Sequence, residues 1–471
     1  MSAGPYTRFV RWRASRIWLR DPRRALTRLD RAGPGRLDGS RLALRAWLAL
    51  TYERDPSAAE QLARAALQRP GDTRFAAAAL SEALMRRGAH DEAVEVVRAA
   101  RSRQPKVPWY ELTLADALEE AGRGAEAVEV LEGIAGHPRL GRHALKRLSR
   151  IALERDDRTR ARRWFEALVA LAPDYLVYAS DYVTLGRLQL EAGDRDAARE
   201  TWRSGARIYP RHVELRALRE EHFGEAEPLA APRIAPVAER EVGVERIPVR
   251  TPLVTVRTDL PALLDAATAS TRRAGDVIAL AESATAAAQG RVLALELVRP
   301  GMLAGVLSRF VGKIGPLHSR EGMEGAIMEA GRIRIVLGAI AGGLGRPLGR
   351  RGWFYRVAGR RTAMIDDVAA CLPPLDHHLI FGPMDADSLT RELAGALGCD
   401  VAVVDANHRT GAWVLAGSDG VDARWLAGAL ADNPAGNEDE QTPVVIVRPT
   451  APAGSLTAGR PKAAGQQPVR R

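Results

Sequence analysis

Along the first half of the chain, apolar positions return with the period of helices, and small residues interrupt them at regular places. Prolines recur about every 33 to 37 residues, at Pro70, Pro105, Pro138, Pro173 and Pro210. Between them stand the turn residues Gly88, Gly122, Asp156 and Gly193. Five positions after each turn comes an alanine (Ala93, Ala127, Ala161, Ala198), and seven before it a small residue (Ser81, Ala115, Ser149, Gly186). This phase predicts units of two helices crossing closely at the small residues, with a proline ending the second. One such unit cannot bury its apolar face alone, so the units must stack.

The pattern changes after a stretch rich in Pro and Ala from Gly224 to Arg246, which reads as a linker. Leu253–Val256, Val277–Ala281, Val401–Val404 and Val444–Val447 read as strands. Leu260–Arg272, an Ala-rich stretch after Ala281, Leu389–Leu397 and Trp425–Leu430 read as helices. The fold class expected is therefore an α/β (α+β) C-terminal domain preceded by an all-α solenoid. The boundaries are a basic N-terminal helical segment over 1–40, repeats over 41–222, a linker over 223–246, the second domain over 247–449 and a disordered tail over 450–471.

Composition narrows the function classes. The net charge of +11 invites nucleic acid, but the cations are nearly all Arg and are spread among Asp and Glu rather than gathered into one stripe, so nucleic acid is not expected. Two cysteines, Cys371 and Cys399, make no disulfide framework and no metal-ligand spacing, in keeping with a reducing cytoplasm. No apolar leader is evident. The longest apolar run, Ile335 to Leu344, is too short to span a bilayer and is flanked by Arg334 and Arg346. The basic, aromatic opening (Phe9-Val10-Arg11-Trp12-Arg13 to Arg20) fits either a capping helix or a segment lying on an anionic membrane.

Candidate chemistry centres on two acids. Asp405 follows the apolar strand Val401–Val404, at the strand end where open α/β sheets place ligands. Asp366 stands in a similar setting after Ala363-Met364-Ile365. His377-His378 is a possible acid/base or metal pair, though neighbours in sequence point apart. Glu321 and Glu324 share one helical face, which reads more simply as solvated. The glycines between Gly338 and Gly349 match no phosphate loop and read as a close-packed or lid-like region. Neither a Ser/His/Asp elbow nor a CxxC pair is present.

Two resemblances add to this reading. The spacing of the first half resembles tetratricopeptide repeats over about residues 72 to 212, with a degenerate earlier unit around Leu42 to Leu67. This implies a protein or peptide partner on the repeat surface. Residues 247 to 449 resemble the coenzyme F420-0:γ-glutamyl ligases. The matching stretches include Gly275-Asp276-Val277-Ile278, Gln289-Gly290-Arg291-Val292, Arg351-Gly352-Trp353-Phe354-Tyr355-Arg356, Ile365-Asp366, Val404-Asp405-Ala406-Asn407 and Glu440-Gln441-Thr442-Pro443.

The ligase resemblance implies a GTP- and Mg²⁺- or Mn²⁺-dependent amide ligase joining L-glutamate to a phosphate-bearing acidic acceptor, working as a homodimer. In such a reaction the acceptor carboxylate is phosphorylated and the amine attacks the acyl phosphate, with metal ions offsetting the moving charge. On that resemblance Asp366, Asp405 and Glu440 would hold metal, and Asn407, Arg409 and Arg291 would contact the nucleotide. The family's threonine and glycine after the second acid are Ala406 and His408 here, and its lysines fall on Ser283 and Ala287. The alternative is therefore a catalytically degenerate domain, kept as a binding or scaffold module while the repeats recruit a partner.

Overall fold

The computed structural model describes residues 18–171, 177–210, 212–225, 244–311, 316–345, 352–365, 371–407, 411–436 and 440–450, with the backbone alone at Pro316, Arg360 and Asn407. The chain divides into two compact units. One comprises residues 1–231 with 293–300 and 367–379; the other comprises 232–292, 301–366 and 380–471.

The first unit is helical. α1 (Pro22–Ala32) leads into the pairs α2 (Gly39–Thr51) with α3 (Pro56–Leu67), α4 (Arg74–Arg86) with α5 (His90–Arg103), and α6 (Tyr110–Glu120) with α7 (Gly124–Ile134). The pairs α8 (Gly141–Glu154) with α9 (Arg158–Val169) and α10 (Ala179–Glu191) with α11 (Arg195–Ile208) follow, and α12 (Val213–Phe223) closes the series. These are antiparallel helix pairs in the phase the sequence predicts, and α2–α3 covers the degenerate earlier unit.

All four predicted turn residues have left-handed backbone, at φ +75° (Gly88), +72° (Gly122), +55° (Asp156) and +81° (Gly193). That conformation reverses the chain within a few residues and favours glycine. Arg54 holds the same place in the first pair at φ +57°. The crossing positions are as tight as their small residues imply. A Cβ on Gly186 would overlap the Trp202 ring, whose Nε1 donates to the Val183 carbonyl at 3.3 Å. Trp202, Tyr182, Phe165 and Leu215 form one buried cluster there, and each large apolar side chain so hidden stabilises the fold by ~1.5–3 kcal/mol. Gly224, left-handed at φ +67°, ends α12 where the linker was expected to begin.

The second unit holds a five-stranded sheet in the order β1-β7-β2-β5-β6, from β1 (Val244–Val249), β2 (Val277–Ala281), β5 (Asp400–Asn407), β6 (Gly411–Gly417) and β7 (Val444–Pro449). Two short strands, β3 (Val292–Ala294) and β4 (His378–Ile380), pair with each other apart from this sheet, and all but Val292 and Ile380 of them belong to the first unit. β2 and β5 are parallel, with Ala281 opposite Val404, and every other pair in the large sheet is antiparallel. Leu260, Leu264, Ile278, Leu280, Leu393, Leu397, Val401 and Val444 form a buried cluster on one side of the sheet, and Leu426 and Leu430 belong to another with Val277, Ala279 and Val445. The helices are α13 (Leu260–Thr268), α14 (Glu282–Ala288), α15 (Met302–Leu307), α16 (Arg320–Ala330), α17 (Arg332–Gly345), α18 (Trp353–Ala358), α19 (Ala386–Leu397) and α20 (Ala423–Ala429).

Some expectations need correction. Leu253–Val256 is not a strand. Thr255 and Thr258 close a turn instead, with the Thr255 N–H donating to the Thr258 hydroxyl and the Thr258 N–H to the Thr255 carbonyl, each at 2.9 Å. The edge strand comes earlier, at Val244–Val249, beginning in the last three residues of the segment read as linker. The face of Glu321 and Glu324 is not solvated: Glu321 is buried, and Glu324 accepts the Gly301 N–H at 2.9 Å. Residues 293–300 and 367–379 group with the helices rather than with the sheet, because their polar side chains find partners there. The basic opening before Trp18 and the tail after Thr450 lie outside the described residues.

Candidate functional site

The densest polar chemistry lies in the helical unit, on the face shared by the first helices of successive pairs. Thr113 in α6 and Arg147 in α8 occupy the same repeat position, two residues before the small residues Ala115 and Ser149. At that position in α4 stands Ala79, fully buried. The repeat thus aims this side chain inward, and what it carries decides what the inner face can hold.

Arg147, 3% exposed, is the hub. Its Nη2 donates to Asp376 Oδ1 at 2.6 Å, its Nε reaches Asp376 Oδ2 at 3.4 Å, and its Nη1 pairs with Asp116. His143 Nδ1 stands 3.2 Å from Asp376 Oδ2, with Trp109 edge-on to its ring. His377 Nδ1 lies 3.4 Å from Asp376 Oδ1, and its Nε2 lies 3.6 Å from Asp116 Oδ2 and 3.3 Å from Thr113 Oγ1. The Thr113 hydroxyl donates to Glu296 Oε1 at 2.8 Å, and Arg74 donates to the Glu296 carbonyl at 2.7 Å. Two stretches far apart in sequence, around Glu296 and around Asp376-His377, are therefore held by α4, α6 and α8.

The electrostatics follow from burial against pairing. Burial alone pushes the Asp376 carboxyl up, but Arg147, with hydrogen bonds from His143 and His377, holds it well below the usual carboxylate range. Burial disfavours the His377 imidazolium, yet the neighbouring carboxylates of Asp376, Asp116 and Glu296 raise its affinity for a proton above the usual histidine value. A protonated His377 donates from Nε2 to Thr113, whose own hydroxyl proton goes to Glu296, so the bonding pattern and the charge agree. Burial raises Glu296 and lowers His143 and His378. Glu296 Oε2, His143 Nε2 and His378 Nδ1 have no hydrogen-bond partner among the described residues. Such an arrangement recognises and fixes carboxylates; it does not expose a nucleophile.

The candidate residues of the second unit are placed differently. Asp405 is half-buried near the end of β5, opposite Trp413 on β6. Asn407 ends that strand opposite Gly411. Glu440 is exposed, its carboxyl lying over Gly436 where a Cβ would clash. Arg291 is buried; it donates to Glu329 Oε2 at 2.9 Å and to the Gly382 carbonyl at 3.1 Å, and burial depresses its proton affinity. Asp366 and Arg409 lie outside the described residues, as do Asp367 and His408. No group of three His, Cys, Asp or Glu side chains placed to hold a metal ion occurs among the described residues.

The sequence singled out His377-His378 but not the partners of His377. Asp116, His143, Arg147 and Glu296 went unread, although one signal was present: Arg147 stands at the repeat position held by the uncharged Ala79, Thr113 and Thr184 in the other pairs. No family model and no curated protein matches the chain. Solved structures similar to it include MamA from Desulfovibrio magneticus RS-1, 15% identical over 37% of this chain and 96% of that one, with a TM-score of 0.29. Another is YrrB, described as a TPR protein with an unusual peptide-binding site, 15% identical over 39% and 92%, TM-score 0.29. A third is PilF of Pseudomonas aeruginosa, 18% identical over 45% and 97%, TM-score 0.32.

Proposed function

We propose that the chain is a binding scaffold whose repeat unit recruits a protein or peptide partner, with the second unit serving as a degenerate ligase-like platform. One observation carries this reading. The inner helix faces already hold two short 3₁₀ turns of polypeptide, Leu295–Leu297 and Leu375–His377, gripping Asp376 with Arg147 and His143 and Glu296 with Thr113. A partner peptide that presents acidic side chains on a similar tight turn uses the same grip or its continuation on the next first helices. The Ser283 and Ala287 positions agree with a platform role, since Ala287 is buried in α14 and presents no cation to a polyphosphate.

The test is panning of a displayed acidic-peptide library on the full chain. Enrichment of Asp- or Glu-containing peptides is expected, falling at least ~10-fold in Arg147→Gln, since a charge-assisted carboxylate pair is worth ~1.5–3 kcal/mol. Asp376→Asn, which loosens the internal occupant, raises capture. No enrichment by folded protein in either background would remove the scaffold reading.

A second reading, the nucleotide-dependent amide ligase, is favoured by the parallel pair β2–β5. β2 ends at Ala281 opposite Val404, one residue before Asp405 on β5, and α14 starts at Glu282. In this reading Asp405 with Asp366 and Glu440 binds Mg²⁺ or Mn²⁺, while Asn407, Arg409 and Arg291 meet GTP, and L-glutamate joins the acidic acceptor. The described donors Asp405 and Glu440 have the hard oxygens such ions need, but two carboxylates do not complete a site. Calorimetric titration of GTP, then ATP, with Mn²⁺ into the full chain beside Asp405→Ala decides it. Metal-dependent heat that the substitution abolishes supports the ligase, and its absence with both nucleotides removes it.

A further inference from the structure

The second unit exposes a stripe that a water-facing surface does not need. In α17, Ile333, Leu337, Ile340 and Leu344 are 77%, 51%, 55% and 61% exposed, and Val336 is 36% exposed. At ~100° per residue these five fall within roughly 100° of the helix circumference, the width with which an amphipathic helix normally faces a core. Here they face outward. The opposite side is the one that packs: Ile335 is fully buried, and Gly338 and Gly342 lie so close to Phe354 of α18 that a Cβ at Gly338 would come within 3.1 Å of the Phe354 carbonyl oxygen. Gly338 and Gly342 therefore serve one face, and the branched apolar residues serve another that none of the described residues covers.

Charge identifies the occupant. Residues 301–361 hold eleven Arg or Lys against three Glu, a net +8 within a chain whose total is +11. All three acids turn inward. Glu321 is buried, Glu324 accepts from the Gly301 N–H, and Glu329 pairs with Arg291 at 2.9 Å and Arg361 at 3.4 Å. Arg332 and Arg334 are exposed and fall roughly 100° to either side of the stripe, so they border it. A second copy of this face would set the bordering Arg332 and Arg334 of two such net-positive segments against each other, and nucleic acid offers nothing to the apolar stripe. An anionic bilayer meets both features, taking apolar side chains below its headgroups and arginines at its phosphates. The helix has 14 residues, about 21 Å, and no described helix is long and apolar enough to cross a membrane, so it would lie flat.

We propose that α17 is a membrane-surface helix: Ile333, Val336, Leu337, Ile340 and Leu344 enter the interface of an anionic bilayer, and Arg332 and Arg334 pair with its lipid phosphates. The site is independent of the peptide-binding face and of the nucleotide reading, and it would hold the scaffold at a lipid surface.

The test is flotation of the full chain with vesicles of phosphatidylcholine alone or containing about 30% phosphatidylglycerol. Wild type is expected to float with the anionic vesicles, and less so as salt rises from ~0.1 to ~0.5 M. The pair Leu337→Glu/Ile340→Glu and the pair Arg332→Ser/Arg334→Ser each lower the bound fraction at least ~10-fold, with unchanged circular dichroism. No flotation of folded wild type overturns the proposal. So does equal flotation of both variant proteins, or a concentration-dependent dimer without vesicle binding that Leu337→Glu/Ile340→Glu dissociates.

Discussion

Two helices of equal length show opposite relations to water. α8 and α17 each have 14 residues. α8 hides Arg147 at 3% exposure, while α17 shows Ile333 at 77%. In α8 the inversion is resolved inside the unit, because Asp376 and Asp116 replace the water that the guanidinium gave up. In α17 no such resolution exists among the described residues. A buried charge with its counter-charge present points to an internal, fixed interaction; an exposed apolar stripe without cover points to something outside. The first contrast concerns stability, the second association, and substitutions should separate them.

The largest effect is expected at the hub. Arg147→Ala leaves Asp376 and Asp116 buried without their cation, and breaking a buried pair from one side costs ~3–5 kcal/mol. The helical unit should unfold at much lower denaturant, read by circular dichroism. Replacing both ends, as in Arg147→Met with Asp376→Leu, removes the stranded charge and should recover much of that loss. A double variant no better than Arg147→Ala would mean that the ion pair is not what fixes the 371–379 stretch.

Next comes the crossing of α10 and α11. Gly186→Ala places a methyl into Trp202 and should cost ~1–3 kcal/mol by overpacking, seen as a lower urea midpoint. An unchanged midpoint would mean that the Trp202 ring moves aside cheaply. This position also shows what was legible in the sequence. The small residues and turn residues of the repeats are dictated by helix geometry at fixed spacing, so Gly186, Gly88 and Asp156 can be read from the chain alone. The sheet was legible where strands are continuously apolar, as at Val277–Ala281 and Val401–Val404, and misread at Leu253–Val256, where threonine side chains close a turn. The charge cluster was not legible. Arg147 meets Asp376 across 229 residues, so its repeat position marks it as inward-facing but nothing near it in the chain names its partner. Of the residues proposed from the ligase resemblance, Asp405 lies within β5, which runs past Val404 to Asn407, while Arg291 is committed to Glu329 and Gly382.

A smaller effect should appear with pH, and its sign differs on the two sides of the ordinary histidine value of about 6.5. His377 holds its proton more tightly folded than unfolded, so its contribution is full below that value and is lost as pH rises through its folded value. His143 and His378 are held neutral by burial, so folding binds fewer protons there and stability falls as pH drops below the same value. Asp376, held low by Arg147, adds a further loss only in stronger acid. The helical unit should therefore show a thermal midpoint that peaks near neutrality. His377→Gln should flatten the alkaline limb and leave the acid limb, and a variant that flattens both would break the assignment of separate histidine roles.

The smallest effect is expected on the other helix, and there its smallness is informative. Ile340 is 55% exposed, so Ile340→Gln removes little that the folded chain buries and should shift stability within about 0.5 kcal/mol, as surface substitutions generally do. The same change at Ile335, fully buried on the packed side of α17, strands an amide in an apolar contact and should cost ~2 kcal/mol or more. If Ile340→Gln destabilised the chain as Ile335→Gln does, the stripe would be part of an internal core and would need no external surface. Near-neutral stability at Ile340 leaves an apolar face that the fold does not use, and the reason for its side chains then lies in what the helix meets outside the chain.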